Sequence, residues 1–278
     1  PERLTLLDNP RADRVRRVSG LVGRSARSRS GLMLVEGPQA VCELARFRPG
    51  TVRDVYVRQD AWDTHADVVE AARRATRWVH PVTNEVSAAL SRDSQGVCAV
   101  ASLDALVRDL PEPSVGETLV VLAQGRDPGN VGTIIRTADA FGAVGVIAVA
   151  GTVDASSPKV VRASVGSVFH IPVRVVPSFE EARGLVHGRG AALLGTSGGA
   201  GSTDLAQMFV QGVSSRSRLS QSHAWVFGNE AKGLSGDDMR LCDALVSIPM
   251  SGDAESLNVA SAAATCLFAS QTVRGLHS

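Results

Sequence analysis

The chain has 278 residues, 29 Lys and Arg against 28 Asp and Glu, a formal net charge of +1 and a hydrophobic fraction of 44%. This length predicts two domains, each large enough for its own core, and the ordinary apolar and charged content excludes collagen, coiled coil and wholesale disorder. No apolar run approaches the ~20 residues that span a bilayer and the N-terminal end is charged, so we expect a cytoplasmic protein.

The first 30 residues predict a basic helical arm, because apolar residues recur at near-helical spacing among eight arginines and only three acids. One interpretation of such a charge cluster is a helix face that is simply exposed to solvent. Arginine also pairs with phosphate and stacks on bases, so this cluster favours a nucleic-acid partner despite the nearly neutral sum.

The remainder of the first half predicts a compact α/β unit. We expect strands at 32–35, 52–57 and 97–101. We also expect one helix that begins at 36–38 and a second helix at 66–75. The segment 104–117 then carries Pro and Gly at turn-forming positions. We therefore predict a first domain with a basic N-terminal arm at 1–105, a linker at 106–117 and a second domain at 118–278.

Residues 118–278 alternate continuous apolar strands with helices, which predicts a parallel sheet covered on both faces. Such sheets bind ligands at the carboxyl ends of their strands, so the loops that follow the strands are the candidate sites. The Ser- and Arg-rich stretch within 212–222 predicts a mobile surface loop.

The first unusual loop is Asp-Pro-Gly-Asn-Val-Gly at 127–132, which leads into a helix with an apolar stripe. Asn130 is suited to cap this helix. Arg136 lies six residues further on, where an arginine costs core stability unless it faces a cleft or a carboxylate. The alternative is a surface arginine with its aliphatic stem packed down.

Two further loops follow strands near the C-terminal end. Gly-Asn-Glu at 228–230 begins a turn with a second glycine at 233, and these glycines permit close approach of a ligand; an ordinary strand–turn–helix connection would look similar. In the run 248–260, Ser256 would be a routine N-cap of the last helix. Asn258 is unusual in a first helical turn, so we expect its side chain to make a contact outside the helix.

Cysteine and histidine spacing does not point to a metal. The four cysteines are scattered without a Cys-x-x-Cys pair, and the six histidines show no metal-ligand spacing. We expect reduced, buried thiols and no structural metal.

Taken together, the three loops resemble, in order and spacing, the three signature motifs of the SpoU family of RNA 2′-O-ribose methyltransferases, within the SPOUT superfamily. The resemblance covers about residues 118–278. The runs at 34–37 and 94–97 are similar to those of the ribosomal-protein-like substrate-binding domain that the family appends. The implied fold is a small N-terminal α/β domain and a parallel-sheet α/β domain with a deep trefoil knot, although general rules of topology disfavour knots.

The resemblance implies methyl transfer from S-adenosylmethionine to a ribose 2′-hydroxyl, carried out by homodimers packed through the knotted domains. It makes Arg136 the residue that activates the 2′-oxygen and Asn130 its positioning partner, while Glu230, Ser256 and Asn258 hold the geometry of the site. The implied cofactor-binding residues are Thr196, Ser197, Gly198, Gly228, Ile248, Met250 and Leu257. The resemblance implies that Lys159 and Arg162 face RNA, a solvated helix face being the alternative. The basic arm adds Arg24, Arg27 and Arg29 as candidate RNA-binding residues, on the evidence of its charge.

The chemistry of arginine leaves the role of Arg136 open between two alternatives. Arginine is a poor base in water, since its pKa exceeds ~12. Arg136 therefore either accepts the proton in an environment that lowers its pKa, or stabilises the developing alkoxide.

The sequence favours ribosomal RNA as substrate over transfer RNA. A methylase that protects the ribosome from an antibiotic is a narrower form of the same hypothesis. A non-catalytic RNA-binding protein is the alternative from another class. A nucleotide-dependent oxidoreductase lacks the required glycine fingerprint.

Overall fold

The computed structural model describes residues 5–199, 201–214, 217–229 and 232–277. The strands in chain order are β1 (Leu32–Glu36), β2 (Val52–Arg58), β3 (Val79–Val82), β4 (Val97–Ser102), β5 (Thr118–Leu122), β6 (Gly145–Val149), β7 (Val173–Val176), β8 (Ala192–Thr196), β9 (Thr203–Asp204), β10 (His223–Phe227) and β11 (Ala244–Ser247). The α-helices are α1 (Asp13–Ser19), α2 (Arg24–Ser30), α3 (Pro38–Phe47), α4 (Ala61–Thr64), α5 (Ala66–Ala75), α6 (Asn84–Leu90), α7 (Pro128–Ala140), α8 (Pro158–Ala163), α9 (Phe179–His187), α10 (Leu205–Ser214), α11 (Gly236–Leu241) and α12 (Val259–Gly275).

The chain divides into two compact units. The N-terminal unit comprises the chain up to Val107 together with Asp154–His170, and the C-terminal unit comprises Arg108–Val153 and the chain from Ile171 onward. The chain thus leaves the N-terminal unit, returns to it for 17 residues and leaves it again. The division into domains at 106–117 remains a prediction.

The N-terminal unit is built on a four-stranded sheet in the order β1-β4-β2-β3. Its β1–β4 and β4–β2 pairs are antiparallel and its β2–β3 pair is parallel. Every residue of β4 is buried. The predicted strands and the helices α3 and α5 are confirmed. β3 and α6 were missed, because Pro81 interrupts a strand of only four residues and α6 has seven.

The predicted helical arm is shorter and broken. α1 and α2 are separated by a 3₁₀ turn at Gly20–Val22, and Leu7 lies before them in a bridge to Val82 instead of in a helix. Gly20 and Gly23 flank this turn, where glycine lowers helix propensity. Val15 and Val18 of α1 pack against β-sheet residues such as Tyr56 in the core of this unit.

Arg27 holds the returning segment in the N-terminal unit. Its guanidinium donates to Asp154 Oδ2 (2.8 Å), to Ser156 Oγ (2.9 Å) and to the carbonyls of Leu21 and Val22. Its side chain is only 3% exposed. The prediction that Arg27 contacts RNA is therefore wrong for this conformation, because the buried guanidinium is already used inside the protein.

The C-terminal unit is built on a seven-stranded sheet in the order β7-β6-β5-β10-β8-β11-β9. All of its strand pairs are parallel, which confirms the predicted parallel sheet. From β8 the chain passes to β9 at the edge of the sheet, then to β10 on the other side of β8, and finally returns past β8 to reach β11. This return is consistent with the trefoil knot that the resemblance implies, and the knot remains a prediction.

The stretch predicted as a mobile loop is partly ordered. α10 continues to Ser214, and a 3₁₀ turn at Arg218–Ser220 begins with a capping box formed by Ser217 and Ser220. Leu219 is fully buried. The apolar residues in this stretch were too few to show a period, yet a single buried leucine anchors the segment.

No described helix combines the length and the apolar character needed to cross a membrane.

A buried polar network lies between the sheet and α12. Ser270 Oγ accepts from Trp225 Nε1 and bonds to His223 Nε2, both at 2.8 Å, while His223 Nδ1 lies 2.8 Å from the carbonyl of Gln221. Burial lowers the pKa of His223 to about 4. The folded protein therefore holds a neutral imidazole whose hydrogen bonds are all made internally.

We predict an acid-sensitive contribution from His223. The unfolded chain takes up a proton near pH 6.5 while the folded chain does so near 4, so stability is full above pH 6.5 and falls as the pH drops toward 4. The loss is at most about 3 kcal/mol. Urea unfolding of the wild type and of His223→Gln at pH 7 and 4.5 measures it, and the variant should lose less stability than the wild type.

The matched control is His65→Gln, at a histidine that is not fully buried. It should lose as much stability as the wild type between the two pH values. Equal losses in the wild type and His223→Gln would contradict the assignment.

Candidate active site

The candidate site lies where four parallel strands end. β5, β10, β8 and β11 are neighbours in the C-terminal sheet, and the three unusual loops follow β5, β10 and β11. Because the strands are parallel, their carboxyl ends meet at one edge, which is where open α/β sheets bind ligands.

The first motif places its polar residues at the start of α7. Asp127 is the N-cap, and its Oδ1 accepts a hydrogen bond from the backbone N–H of Asn130 at 2.8 Å. The prediction that Asn130 caps the helix is therefore wrong, because Asp127 stands at the last extended position before Pro128. The side chain of Asn130 is left available for a contact elsewhere.

Arg136 lies on the solvent-exposed side of α7. Among the described residues it has no hydrogen-bond or ion-pair partner. At 3.6 residues per turn, the six residues between Asn130 and Arg136 separate them by about 120° around the helix. The two functional side chains of this motif therefore start from different faces of α7.

The second motif is a tight turn whose backbone leaves no space for a side chain at Gly228. Asn229 and Gly233 exchange two backbone hydrogen bonds of 3.0 and 2.8 Å, and Asn229 Nδ2 donates to the carbonyl of Gln124 at 3.4 Å. A Cβ at Gly228 would lie 2.2 to 2.4 Å from backbone atoms of Gly233 and Leu234. Glu230, the acid of this motif, lies outside the described residues.

The third motif differs from its prediction in where the helix begins. α12 starts at Val259 and its N-cap is Asn258, whose Oδ1 accepts from the backbone N–H groups of Ala260 (2.8 Å) and Ser261 (3.3 Å). Ser256 is exposed coil two residues earlier, so the prediction that it is the cap is wrong. Asn caps helices as well as Ser does, which left the sequence ambiguous by two positions.

Asn258 also joins the third motif to the first. Its Nδ2 donates to Oδ1 of Asn130 at 3.0 Å, across 128 residues of sequence. The expected side-chain contact outside the helix is confirmed. One amide therefore caps α12 with its oxygen and fixes the start of α7 with its nitrogen.

Backbone and hydroxyl contacts hold the ends of the other strands together. Thr196 Oγ1 donates to the carbonyl of Val226 on β10 at 2.9 Å, and the N–H of Ser197 donates to the carbonyl of Val246 on β11 at 3.0 Å. The segment Thr196–Gly198 thus lies between the second and third motifs.

The groups beside these loops have the mixed character of a nucleoside site. Met250 is 44% exposed and Leu257 is 42% exposed, both beside polar backbone, and Ile248 is half-buried. A Cβ at Gly198 would meet no atom within 4 Å, so the backbone there borders open space. Exposed apolar side chains beside free backbone polar groups suit an adenine ring and its ribose.

A small concavity of about 190 Å³ lies at the ends of β5 and β10. Its charged residues are Arg126, Lys232 and Asp238. Sequence reasoning did not single out Arg126 or Lys232 as site residues. Their positions directly beside the first and second motifs were the available signal, and both side chains are exposed.

A wider concavity of about 1130 Å³ lies at the opposite end of the strands. It borders residues that precede β5, β8 and β10, and Arg189 and Arg274 line it. Both arginines bind internal groups: Arg189 is paired with buried Glu117 and Arg274 donates to the carbonyls of Gly116 and Phe141. We therefore assign the two arginines of this concavity a role in holding the fold together, not in binding a ligand.

Thiol and metal chemistry find little support at the site. Burial raises the pKa of Cys242, the thiol nearest to β8, to about 12. Within the described ranges no group of three or more His, Cys, Asp or Glu side chains could hold a metal ion.

The predicted RNA-binding residues differ in availability. Arg24, Arg29 and Lys159 are exposed, whereas Arg27 is buried as described above. Arg162 is 34% exposed in its side chain and forms ion pairs with Glu36 and Asp93 inside the N-terminal unit.

The fold and the arrangement of the three loops define an α/β protein with a candidate ligand site at the carboxyl edge of a parallel sheet. Residues 117–268 match the SpoU rRNA Methylase family. The chain therefore belongs to this family.

Named relatives cover nearly the whole chain. It is 34% identical over 244 residues to the 23S rRNA (guanosine-2′-O-)-methyltransferase RlmB of Bordetella pertussis, over 85% of this chain and 96% of that protein. It is 30% identical over 253 residues to the 23S rRNA guanosine 2′-O-methyltransferase RlmP of Bacillus subtilis, over 88% and 90%. The crystal structure of the SpoU methyltransferase AviRb from Streptomyces viridochromogenes, in complex with the cofactor AdoMet, matches with a TM-score of 0.79 and 30% identity over 95% of this chain and 99% of that one.

We predict that Gly228→Ala disrupts the second motif. The added Cβ would overlap the backbone of Gly233 and Leu234, so the turn must open, at a cost of about 2 kcal/mol or more in the free energy of unfolding. Gly184→Ala in α9 is the matched control, since its Cβ meets no atom within 4 Å; it should be neutral or slightly stabilising. Thermal unfolding distinguishes them, and equal melting temperatures would refute the close approach.

Proposed function

We propose that this protein transfers a methyl group from S-adenosylmethionine to a ribose 2′-hydroxyl in ribosomal RNA. The observation that carries the proposal is the hydrogen bond between Asn258 and Asn130, which joins two distant motifs at the carboxyl edge of the sheet. The names of the relatives support ribosomal RNA over transfer RNA as the substrate class. A protein acting on that RNA works in the cytoplasm.

The residues around the three loops are suited to hold S-adenosylmethionine. We propose that Thr196, Ser197 and Gly198 contact it together with Gly228, and that three apolar side chains cover its adenine. Those side chains are Ile248, Met250 and Leu257. When bound there, the cofactor supplies an electrophilic methyl group. The AdoMet complex of a relative of the same family supports this assignment.

The protein's own groups must activate a weakly acidic hydroxyl. We propose that the Arg136 guanidinium faces the 2′-oxygen, where it either accepts the proton or stabilises the developing alkoxide. Asn130, held by Asn258, positions the ribose, and Glu230 and Ser256 maintain the surrounding loops. Because its donors are not used by described groups, Arg136 can turn toward an incoming substrate without breaking an ion pair.

We further propose that the protein acts as a homodimer through α7 and α12. These helices pack on each other, and Phe268 on α12 is 53% exposed with its ring 6.1 Å from that of Phe141. Arg136 is exposed about 120° around α7 from Asn130. A second copy seated here would cover Phe268 and bring Arg136 near a site built by both chains.

Sedimentation velocity tests the dimer. Phe268→Glu should shift the protein toward monomer and reduce methyl transfer, because it places a charge in an apolar interface. The control is Val175→Glu, at an exposed valine of β7 that is 69% accessible; it should leave the mass unchanged. A dimeric Phe268→Glu protein would overturn this interface.

The proposed reaction is tested with tritiated S-adenosylmethionine and unmodified ribosomal or transfer RNA, followed by mapping of the labelled nucleotide. We expect a 2′-O-methyl group in ribosomal RNA. Label in transfer RNA alone would favour the alternative substrate, and cofactor binding undetectable by calorimetry, with or without RNA, would favour a non-catalytic RNA-binding protein.

Arg136→Ala should abolish methyl transfer in the same assay, by at least about 100-fold, while cofactor affinity stays nearly unchanged. The matched control is Arg240→Ala, which also removes an exposed arginine from the C-terminal unit; Arg240 forms an ion pair with Asp237 one turn away. It should keep full activity. Full activity of Arg136→Ala would overturn the assigned role.

A further inference from the structure

An exposed tryptophan lies at one end of the N-terminal sheet. Trp78, directly before β3, is 43% exposed. The guanidinium carbon of Arg77 lies 4.6 Å from the centre of its ring. Exposed aromatic rings of this size are uncommon, and a cation stacked on one adds to its attraction for a further ring.

The position of Trp78 is fixed by the sheet. Its N–H donates to Thr76 Oγ1 at 3.2 Å, and its carbonyl accepts from the N–H of Val55 on β2 at 2.9 Å. Its ring is nearly parallel to that of His80, at 16° and 6.2 Å between centres. The indole is thus presented by a rigid backbone instead of a flexible loop.

The row of rings continues into a buried polar cluster. The ring of Tyr56 stacks on His80 at 5.3 Å, and Arg14 of α1 donates to Tyr56 Oη (3.0 Å) and to Asp54. The carboxylate of Asp54 also bonds to His80 at 3.0 Å. The one acid in this row is therefore held by a cation, and an arginine stands at each end.

The charge around Trp78 favours an anionic partner. Arg77 is exposed directly before it in the chain, Arg53 is exposed on the neighbouring strand β2, and Arg17 is exposed one turn after Arg14 on α1. In the described part of the chain no carboxylate forms an ion pair with Arg77. A second tryptophan with a stacked arginine, Trp62 with Arg73 at 5.3 Å, has more acidic surroundings in the sequence. It is less exposed, and the exposed acids near it in sequence are Asp60, Asp63 and Asp67.

We propose that Trp78 and Arg77 form a stacking subsite for an unpaired base of the RNA substrate. The proposal rests on the proposed function only in taking RNA as the ligand. Unpaired bases bind proteins by stacking on aromatic rings and guanidinium planes, and the neighbouring arginines would meet the phosphates. The subsite would select structured RNA with an accessible loop and would act on substrate affinity, not on methyl transfer itself.

Steady-state kinetics with unmodified large-subunit ribosomal RNA tests the subsite. Trp78→Ala should raise KM at least fivefold and leave kcat within twofold, whereas Trp78→Phe should retain most of the affinity because it keeps an aromatic face. Trp62→Ala is the matched control and should change neither value. Melting temperatures of all variants show whether they are folded.

Fluorescence gives a readout that does not depend on catalysis. Base stacking quenches an indole, so the Trp62→Phe protein should be quenched by the RNA, while the Trp78→Phe protein should lose most of that quenching. Arg77→Gln should weaken binding and lower the salt dependence of log Kd by about one unit of slope.

The outcomes separate the two proposals. If the wild type methylates ribosomal RNA but Trp78→Ala has unchanged KM and Trp78→Phe is still quenched, the subsite is refuted and the function stands. If the wild type transfers no methyl group yet its RNA affinity depends on Trp78, the proposed reaction fails and the subsite stands.

Discussion

The arrangement of the site depends on one asparagine side chain. Asn258 satisfies two backbone N–H groups at the start of α12 with its oxygen and donates to Asn130 with its nitrogen. A serine or threonine could cap the helix equally well, but its single hydroxyl would have to accept from the helix and donate toward α7 through the same oxygen. The requirement for both bonds explains why an amide, and not a hydroxyl, occupies this position.

The close approach at Gly228 supplies the second constraint. The turn that follows β10 folds back so tightly that the position tolerates only a hydrogen in place of a side chain. Together with the Thr196 and Ser197 bonds to neighbouring strands, it aligns the loops after β8, β10 and β11. The proposed cofactor-binding surface is thus shaped mostly by backbone.

Charged residues are instead concentrated in the N-terminal unit, where some arginines are buried in the fold and others remain exposed. Arg27 is buried and fixes the segment Asp154–His170 to this unit, whereas Arg24 and Arg29 on the same helix remain exposed. Arg14 neutralises Asp54 beneath the row of rings that ends in Trp78. Arginines that look equivalent in a basic run therefore serve structure in one case and remain available for a partner in another.

The sequence by itself determined the parallel sheet, the three loops at its carboxyl edge and the family, because apolar periodicity and motif spacing are local properties of the chain. It also indicated that Asn258 makes a contact outside its helix. Only the tertiary structure decided that Asn130 is the partner, that Asp127 and Asn258 are the caps, that Arg27 is buried and that Trp78 is exposed. Burial and pairing between residues more than 100 positions apart depend on how the chain returns to itself, and no local pattern encodes that path.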